Sequence, residues 1–180
     1  IFYNHFVPKF SKQATQIATV SEYSKADLVQ HYSIPLEKIS VVYSASKSFF
    51  HPISDEQQTT IRQTFAHGKR YFIYVGSVHP RKNILNMLRA FELFHQQLKS
   101  DYCFLIAGAK GWKNEELEQF YQNMREKEKV IFTGRLNEDE LNSLIASAEA
   151  LLYVSLFEGF GVPPLEAMQC HVPVIAGNVS

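Results

Sequence analysis

Apolar residues in this chain fall into short runs separated by amphipathic stretches, and the two kinds of segment alternate. Runs at 71–75, 102–107, 130–132, 150–154 and 172–176 have strand length and polar flanks, while 84–99, 114–126, 138–148 and 164–169 have helical spacing. Strand and helix in regular alternation predict a doubly wound, Rossmann-like α/β fold with a parallel sheet. Ligands of such sheets bind beyond the carboxyl ends of the strands. The loops after Val75, Ala107, Phe132 and Val154 are therefore expected to face one cleft.

The first fifty residues form a partial α/β segment. Phe2, Tyr3, Phe6 and Phe10 recur at roughly helical spacing, with Pro8 expected to interrupt any long helix. Residues 17–20 read as a buried strand. Ser21 reads as the N-cap of a helix to about His31, with Leu28, Val29 and Tyr32 on its apolar side. Ile34-Pro35 breaks that helix, and 39–43 is a second strand. So small a body is not expected to fold well alone. A linker is expected at 44–52, and Ser54 with Gln57 three residues later predicts a capping-box helix to about Ala66, closed near Gly68. The expected domains are 1–50 and 51–180.

Composition narrows the function classes. With 46% apolar and 20% charged residues the 180-residue chain is an ordinary globular protein. Its 18 basic and 18 acidic residues cancel. There is no basic block to bind nucleic acid, and no apolar run of about 18 residues to span a bilayer. Peripheral membrane association of a longer protein stays open. Cys103 and Cys170 are isolated thiols, a pattern that implies a reducing compartment, with the cytoplasm as the expected location. The chain lacks an initiator Met and stops soon after its last apolar run, so a piece of a longer protein is expected.

The most informative segment is 157–168, FEGFGVPPLEAM. Pro163 or Pro164 can open a helix, because a first-turn residue needs no N–H partner. Gly159 and Gly161 allow close approach of a ligand to the backbone, and the first-turn amides and the helix dipole favour an anion there. Glu158 and Glu166 would repel a phosphate there. They suit hydroxyl groups on either side of one, as a sugar–diphosphate–ribose molecule offers. The alternatives are a cap or dipole role for Glu166, taken as two or three positions into its helix, and a solvated Glu158.

The loop after Val75 reads Gly76-Ser77-Val78-His79-Pro80-Arg81-Lys82-Asn83, and a helix is expected to follow at once. Cations at a helix N-terminus oppose the dipole, so Arg81 and Lys82 ask for an anion; the alternative is a solvated pair. His79 reads as structural or solvated. Gly108 and Gly134 follow their strands and permit tight turns under a ligand, and Trp112 in Lys110-Gly111-Trp112 reads as a loop anchor. Asp-x-Asp, Gly-x4-Gly-Lys-Ser/Thr, Gly-x-Gly-x-x-Gly and Gly-x-Ser-x-Gly are absent, and the seven His are scattered. A metal-independent anion site remains, without a resident cofactor.

Together these segments resemble the group 1 family of retaining, nucleotide-sugar-dependent glycosyltransferases of the GT-B fold. EGFGVPPLEAM matches its Glu-x7-Glu signature, and ATVSEYSKADLVQHY, KISVVY, YVGSVHPRKNI and VIFTGRLNEDEL fall in the family's order. The resemblance covers nearly the whole chain. It implies residues 1–50 from an acceptor-side domain and 51–180 as the nucleotide-sugar-binding domain. It implies a nucleoside-diphosphate-sugar donor, a saccharide or lipid-linked saccharide acceptor, and no metal; with membrane association the inner face is implied. Glu158 matches the first signature Glu, at the sugar, and Glu166 the second, at the ribose. Gly76 opens the phosphate loop; Ser77 stands where the family often has a basic residue, Lys82 matches the family's Lys, and Arg81 is the neighbouring cation. Gly134 and Arg135 lie where the family meets the base, with a solvated Arg135 the competing reading. A glycosidase using Glu158 and Glu166, a nucleotide-binding module without turnover and a nucleotide-sugar epimerase stay open.

Overall fold

A computed structural model describes residues 2–109 and 115–179. Lys110-Gly111-Trp112 and the expected helix start at Asn114 lie outside the described residues. Packing divides the chain into two units, Ile1–Ala45 with Glu158–Gly161, and Ser46–Phe157 with Val162–Val179.

The first unit holds α1 (Phe2–Gln13), β1 (Ile17–Thr19), α2 (Glu22–Tyr32) and β2 (Ile39–Val41). Contrary to expectation, α1 runs through Pro8. A proline inside a helix removes one backbone bond and tends to bend it, and here the rings of Phe6 and Phe10 stack across the proline with centroids 5.7 Å apart. Ser21 caps α2 as read, its hydroxyl accepting the Ser24 N–H at 3.0 Å. The helix ends at Ser33 in the left-handed region, φ 52°. β1 and β2 pair in parallel, Ile17 opposite Ile39. Both strands stop short of the expected ends, and β1 is only half-buried, because no described residue of α2 is buried.

The second unit is built from α3 (Asp55–Ala66), β3 (Tyr71–Val75), α4 (Ile84–Leu98), β4 (Cys103–Ala107), α5 (Glu115–Asn123), β5 (Val130–Gly134), α6 (Glu138–Ala146), β6 (Ala150–Tyr153), α7 (Val162–Gln169) and β7 (Val174–Ala176). The Ser54–Gln57 capping box opens α3, and His67 and Gly68, both at positive φ, close it. Five parallel strands form one sheet in the order β5-β4-β3-β6-β7. The chain winds one way from β3 and then returns to β6 on β3's other side. That reversal makes the β3/β6 boundary the topological switch point, where the carboxyl-end crevice of such a sheet opens.

Strand alternation sorts the core onto two faces. Tyr71, Ile73, Cys103, Leu105, Leu151 and Tyr153 pack with Leu144 and Ile145 of α6 and Ala167 of α7. Tyr74, Phe104 and Ile106 pack on the opposite face with Met87, Leu88 and Phe91 of α4 and Leu117 of α5. The stretch read as a linker contributes Phe50 to the first of these clusters, and the His51 N–H donates to Asn142 Oδ1 at 2.9 Å.

Charged residues stand at the amino ends of the strands. Lys69, before β3, pairs with Asp101, before β4, at 2.9 Å. Glu149, before β6, binds Arg62 at 3.1 Å and also Arg70, and the Arg70 hydrogen bond holds its carboxyl below the usual range. Lys129, before β5, reaches Glu126 at 2.8 Å and His95 Nδ1 at 3.3 Å.

Candidate active site

The carboxyl ends of β3, β4 and β5 are joined by their glycines. The Gly76 N–H donates to Ala107 O at 2.9 Å, and the Gly108 N–H to Gly134 O at 3.0 Å. Gly108 has φ +156°, and a Cβ there would lie 2.0 Å from the Gly76 carbonyl oxygen. Only glycine fits. Above this contact lies a cleft of about 340 Å³ lined by Gly76, Ser77, Gly108, Gly134 and Arg135 among others. Ser77 and Arg135 are exposed, and the Tyr74 hydroxyl holds the loop by donating to Ser77 O at 3.1 Å. The tight turns read at Gly108 and Gly134 thus take the form of a three-loop interlock.

Arg81 and Lys82 are brought to the switch point by different means than expected. They end a single 3₁₀ turn, Pro80–Lys82, which Asn83 at φ 61° separates from α4. The helix does not start directly under them, because the left-handed residue redirects the chain. His79 caps the turn, its Nδ1 accepting the Arg81 N–H at 3.2 Å, which is a structural role. The Arg81 carbonyl accepts the Leu156 N–H at 2.8 Å, and its guanidinium donates to Phe157 O. Lys82 Nζ lies 5.4 Å from the Tyr153 ring centroid, within cation–π range.

The glutamate segment starts in the first unit. Ser24 Oγ donates to Gly159 O at 3.3 Å, and the rings of Tyr43 and Phe160 lie 6.2 Å apart. Glu158 is half-buried, and Gly161 turns the chain at φ 97°.

In the second unit α7 opens at Val162, earlier than expected, with both prolines in its first turn. Glu166 is consequently its fifth residue, and the first turn holds no acidic group. The capping and dipole role weighed for Glu166 therefore does not apply. Burial pushes the Glu166 carboxyl up, with the charge of Lys47 acting the other way.

Lys47 was passed over as part of a small, polar run; its Nζ is tied to Glu138 at the start of α6. Ser155, just past β6, was missed too. It is 5% exposed, and among the described residues its Oγ finds no hydrogen-bond partner. A serine ending an apolar run carries no signal that distinguishes it from any other. Among the described residues no group of His, Cys, Asp and Glu could hold a metal ion, and no helix is long and apolar enough to cross a membrane.

A parallel, doubly wound sheet with a glycine-rich cleft at the carboxyl ends of its strands is the frame of the GT-B fold class. The chain belongs to the group 1 glycosyl transferases, whose family pattern matches residues 55–180. It is 31% identical over 168 residues to O-antigen chain mannosyltransferase B of Escherichia coli, covering 93% of this chain and 44% of that protein. It is 32% identical over 180 residues to O-antigen chain mannosyltransferase RfbU of Salmonella typhimurium, covering 98% of this chain and 46% of that protein. The chain thus spans less than half the length of these relatives. The same fold is seen in HepE of Anabaena solved with UDP and glucose, at TM-score 0.84 and 19% identity over 97% of this chain and 48% of that one. It also matches WaaG, a glycosyltransferase involved in lipopolysaccharide biosynthesis, at TM-score 0.78 and 20% identity over 91% of this chain and 44% of that one.

Proposed function

We propose that the chain carries the donor side of a glycosyltransferase that moves a sugar from a nucleoside diphosphate to a saccharide or lipid-linked saccharide hydroxyl, with retention and without a metal. The observation that supports it most is the family match over 55–180 together with the EGFGVPPLE segment that opens α7. Mannose is the first sugar to test, because the two relatives described above are named mannosyltransferases. On this reading residues 51–180 are the donor domain and 1–50 belong to the acceptor side of a cytoplasmic enzyme that works at the inner face of the membrane.

Glycosyl transfer passes through an oxocarbenium-like state while negative charge grows on the departing phosphate. Arg81, Lys82 and the backbone amides of Phe160 to Val162 take that charge. The hydroxyls of the sugar and the developing positive charge at its anomeric carbon fall to Glu158. Glu166 accepts from the ribose diol, Gly76 and Ser77 border the phosphates, and Gly134 and Arg135 border the base.

A thermal-shift screen with UDP, GDP, ADP and their mannose and glucose conjugates tests the reading, and a nucleoside diphosphate should raise the melting temperature. Glu166→Ala should weaken nucleotide binding by about tenfold, since a hydrogen bond to a charged group contributes about 1.5–3 kcal/mol. Unchanged affinity would remove Glu166 from the ribose. Hydrolysis of a chromogenic glycoside without nucleotide would favour a glycosidase instead.

A further inference from the structure

We propose that Asn83 is a positioning residue that clasps the Arg81-bearing turn onto the end of β6, so that the guanidinium is held in place before any ligand arrives. The role in binding rests on the donor-site reading above; the clasp itself does not.

All four polar groups of Asn83 are engaged. Its N–H donates to Pro80 O at 3.0 Å and its carbonyl accepts from the Met87 N–H at 3.2 Å, joining the 3₁₀ turn to α4. Its side-chain amide donates to Val154 O at 3.0 Å, and its Oδ1 accepts from Asn86 Nδ2 at 2.7 Å. Asn86 Oδ1 in turn accepts from Arg89 at 3.1 Å, and Arg89 reaches Glu116 of α5 at 2.9 Å. The three residues are spaced at intervals of three, which puts them along one face at the start of α4.

The bond to Val154 completes a clasp whose other members are both made by Arg81. Leu156 donates to the Arg81 carbonyl at 2.8 Å, and the Arg81 guanidinium donates to the Phe157 carbonyl. Asn83 sits at φ 61°, a region tolerated by glycine and asparagine better than by other residues. Glycine would allow the turn and supply neither side-chain bond. Aspartate would keep the acceptor toward Asn86 but could not donate to Val154 O. Asparagine meets both requirements, the backbone conformation and the donor.

The test uses the intact chain and the variants Asn83→Asp, Asn83→Gly, Arg81→Ala and the double variant Arg81→Ala/Asn83→Asp. Both Asn83 variants should stay folded by thermal melting, and the Leu156 amide should exchange its hydrogen about fivefold faster than in the parent, the equivalent of one net hydrogen bond. By calorimetry, affinity for UDP or GDP should fall about fivefold in both, while affinity for uridine or guanosine stays unchanged. Agreement between the aspartate and glycine variants separates the lost donor from the added charge. In the Arg81→Ala background Asn83→Asp should add no further loss, because its effect passes through Arg81.

Unchanged exchange at Leu156, equal losses for nucleoside and diphosphate, unchanged diphosphate affinity, or losses that add to those of Arg81→Ala would each overturn the proposal. If the parent chain bound no nucleoside diphosphate, the donor-site reading would fall, and the Leu156 exchange rate would still decide the clasp.

Discussion

The two ends of the five-stranded sheet place their cations differently. At the amino ends, Lys69 and Arg70 each meet a carboxylate just before a neighbouring strand, and Lys129 meets Glu126 in the turn before its own strand. At the carboxyl ends, the Arg81 guanidinium meets a backbone carbonyl and the Lys82 ammonium an aromatic ring, beside loops set by positive-φ glycines. A carbonyl or a ring fixes where a cation sits, and here both hold the turn that carries Arg81 and Lys82. The carboxylates at the other end contribute to stability. One end of the sheet uses its cations to tie strand starts together, and the other places them on a loop.

Substitutions can break this contrast, beginning with the strongest. Gly108→Ala would drive a Cβ into the Gly76 carbonyl and should destabilise the chain by about 4 kcal/mol or more, read by denaturant unfolding. Arg81→Ala and Lys82→Ala should each lower diphosphate affinity by about tenfold and leave the melting temperature nearly unchanged. Glu149→Gln should do the reverse, removing about 1–2 kcal/mol of stability with nucleotide binding intact. Because the Glu149 carboxyl is depressed by Arg70, that contribution is present above the ordinary carboxylate range and is lost as pH falls through the depressed value. The variant should therefore show a flatter acid-unfolding profile than the parent.

Gly134→Ala makes a sharper comparison with Gly108→Ala. Among the described residues no atom beyond its chain neighbours lies within 4 Å of its added Cβ, so the φ of +75° is what opposes it, at about 1 kcal/mol. The smallest stability effect is expected at Glu166. Burial raises its carboxyl, so its stabilising contribution is complete at acid pH and is lost as pH rises through the raised value. Glu166→Gln should melt with the parent in acid and above it at neutral pH, and should bind nucleotide less well. A lower melting temperature at neutral pH would contradict the burial argument.

Several of these features were legible in the chain itself. Ser54 and Gln57 announced α3, and the polar flank at Lys69-Arg70 with Gly76 after it bounded β3 to the residue. The start of α7 was not legible, because Val162, Pro163 and Pro164 all suit a first turn where no N–H bond is needed. That small shift changed the meaning of Glu166. Nor did Pro8 announce that α1 would run through it, since the sequence registers the missing N–H but not the ring stacking of Phe6 on Phe10. The left-handed Asn83 and the approach of Gly108 to Gly76 are backbone facts. A sequence shows that Asn and Gly can adopt such conformations, not that they do.

The central claim is that the carboxyl end of the sheet binds a nucleoside diphosphate through Arg81 and Lys82. Calorimetric titration of the intact chain with UDP and GDP tests it most directly, with the Arg81→Ala/Lys82→Ala variant alongside. The account expects saturable one-to-one binding of one of them by the parent, and loss of that binding in the variant at an unchanged melting temperature. Absence of binding by the parent, or equal affinity in the variant, would contradict it.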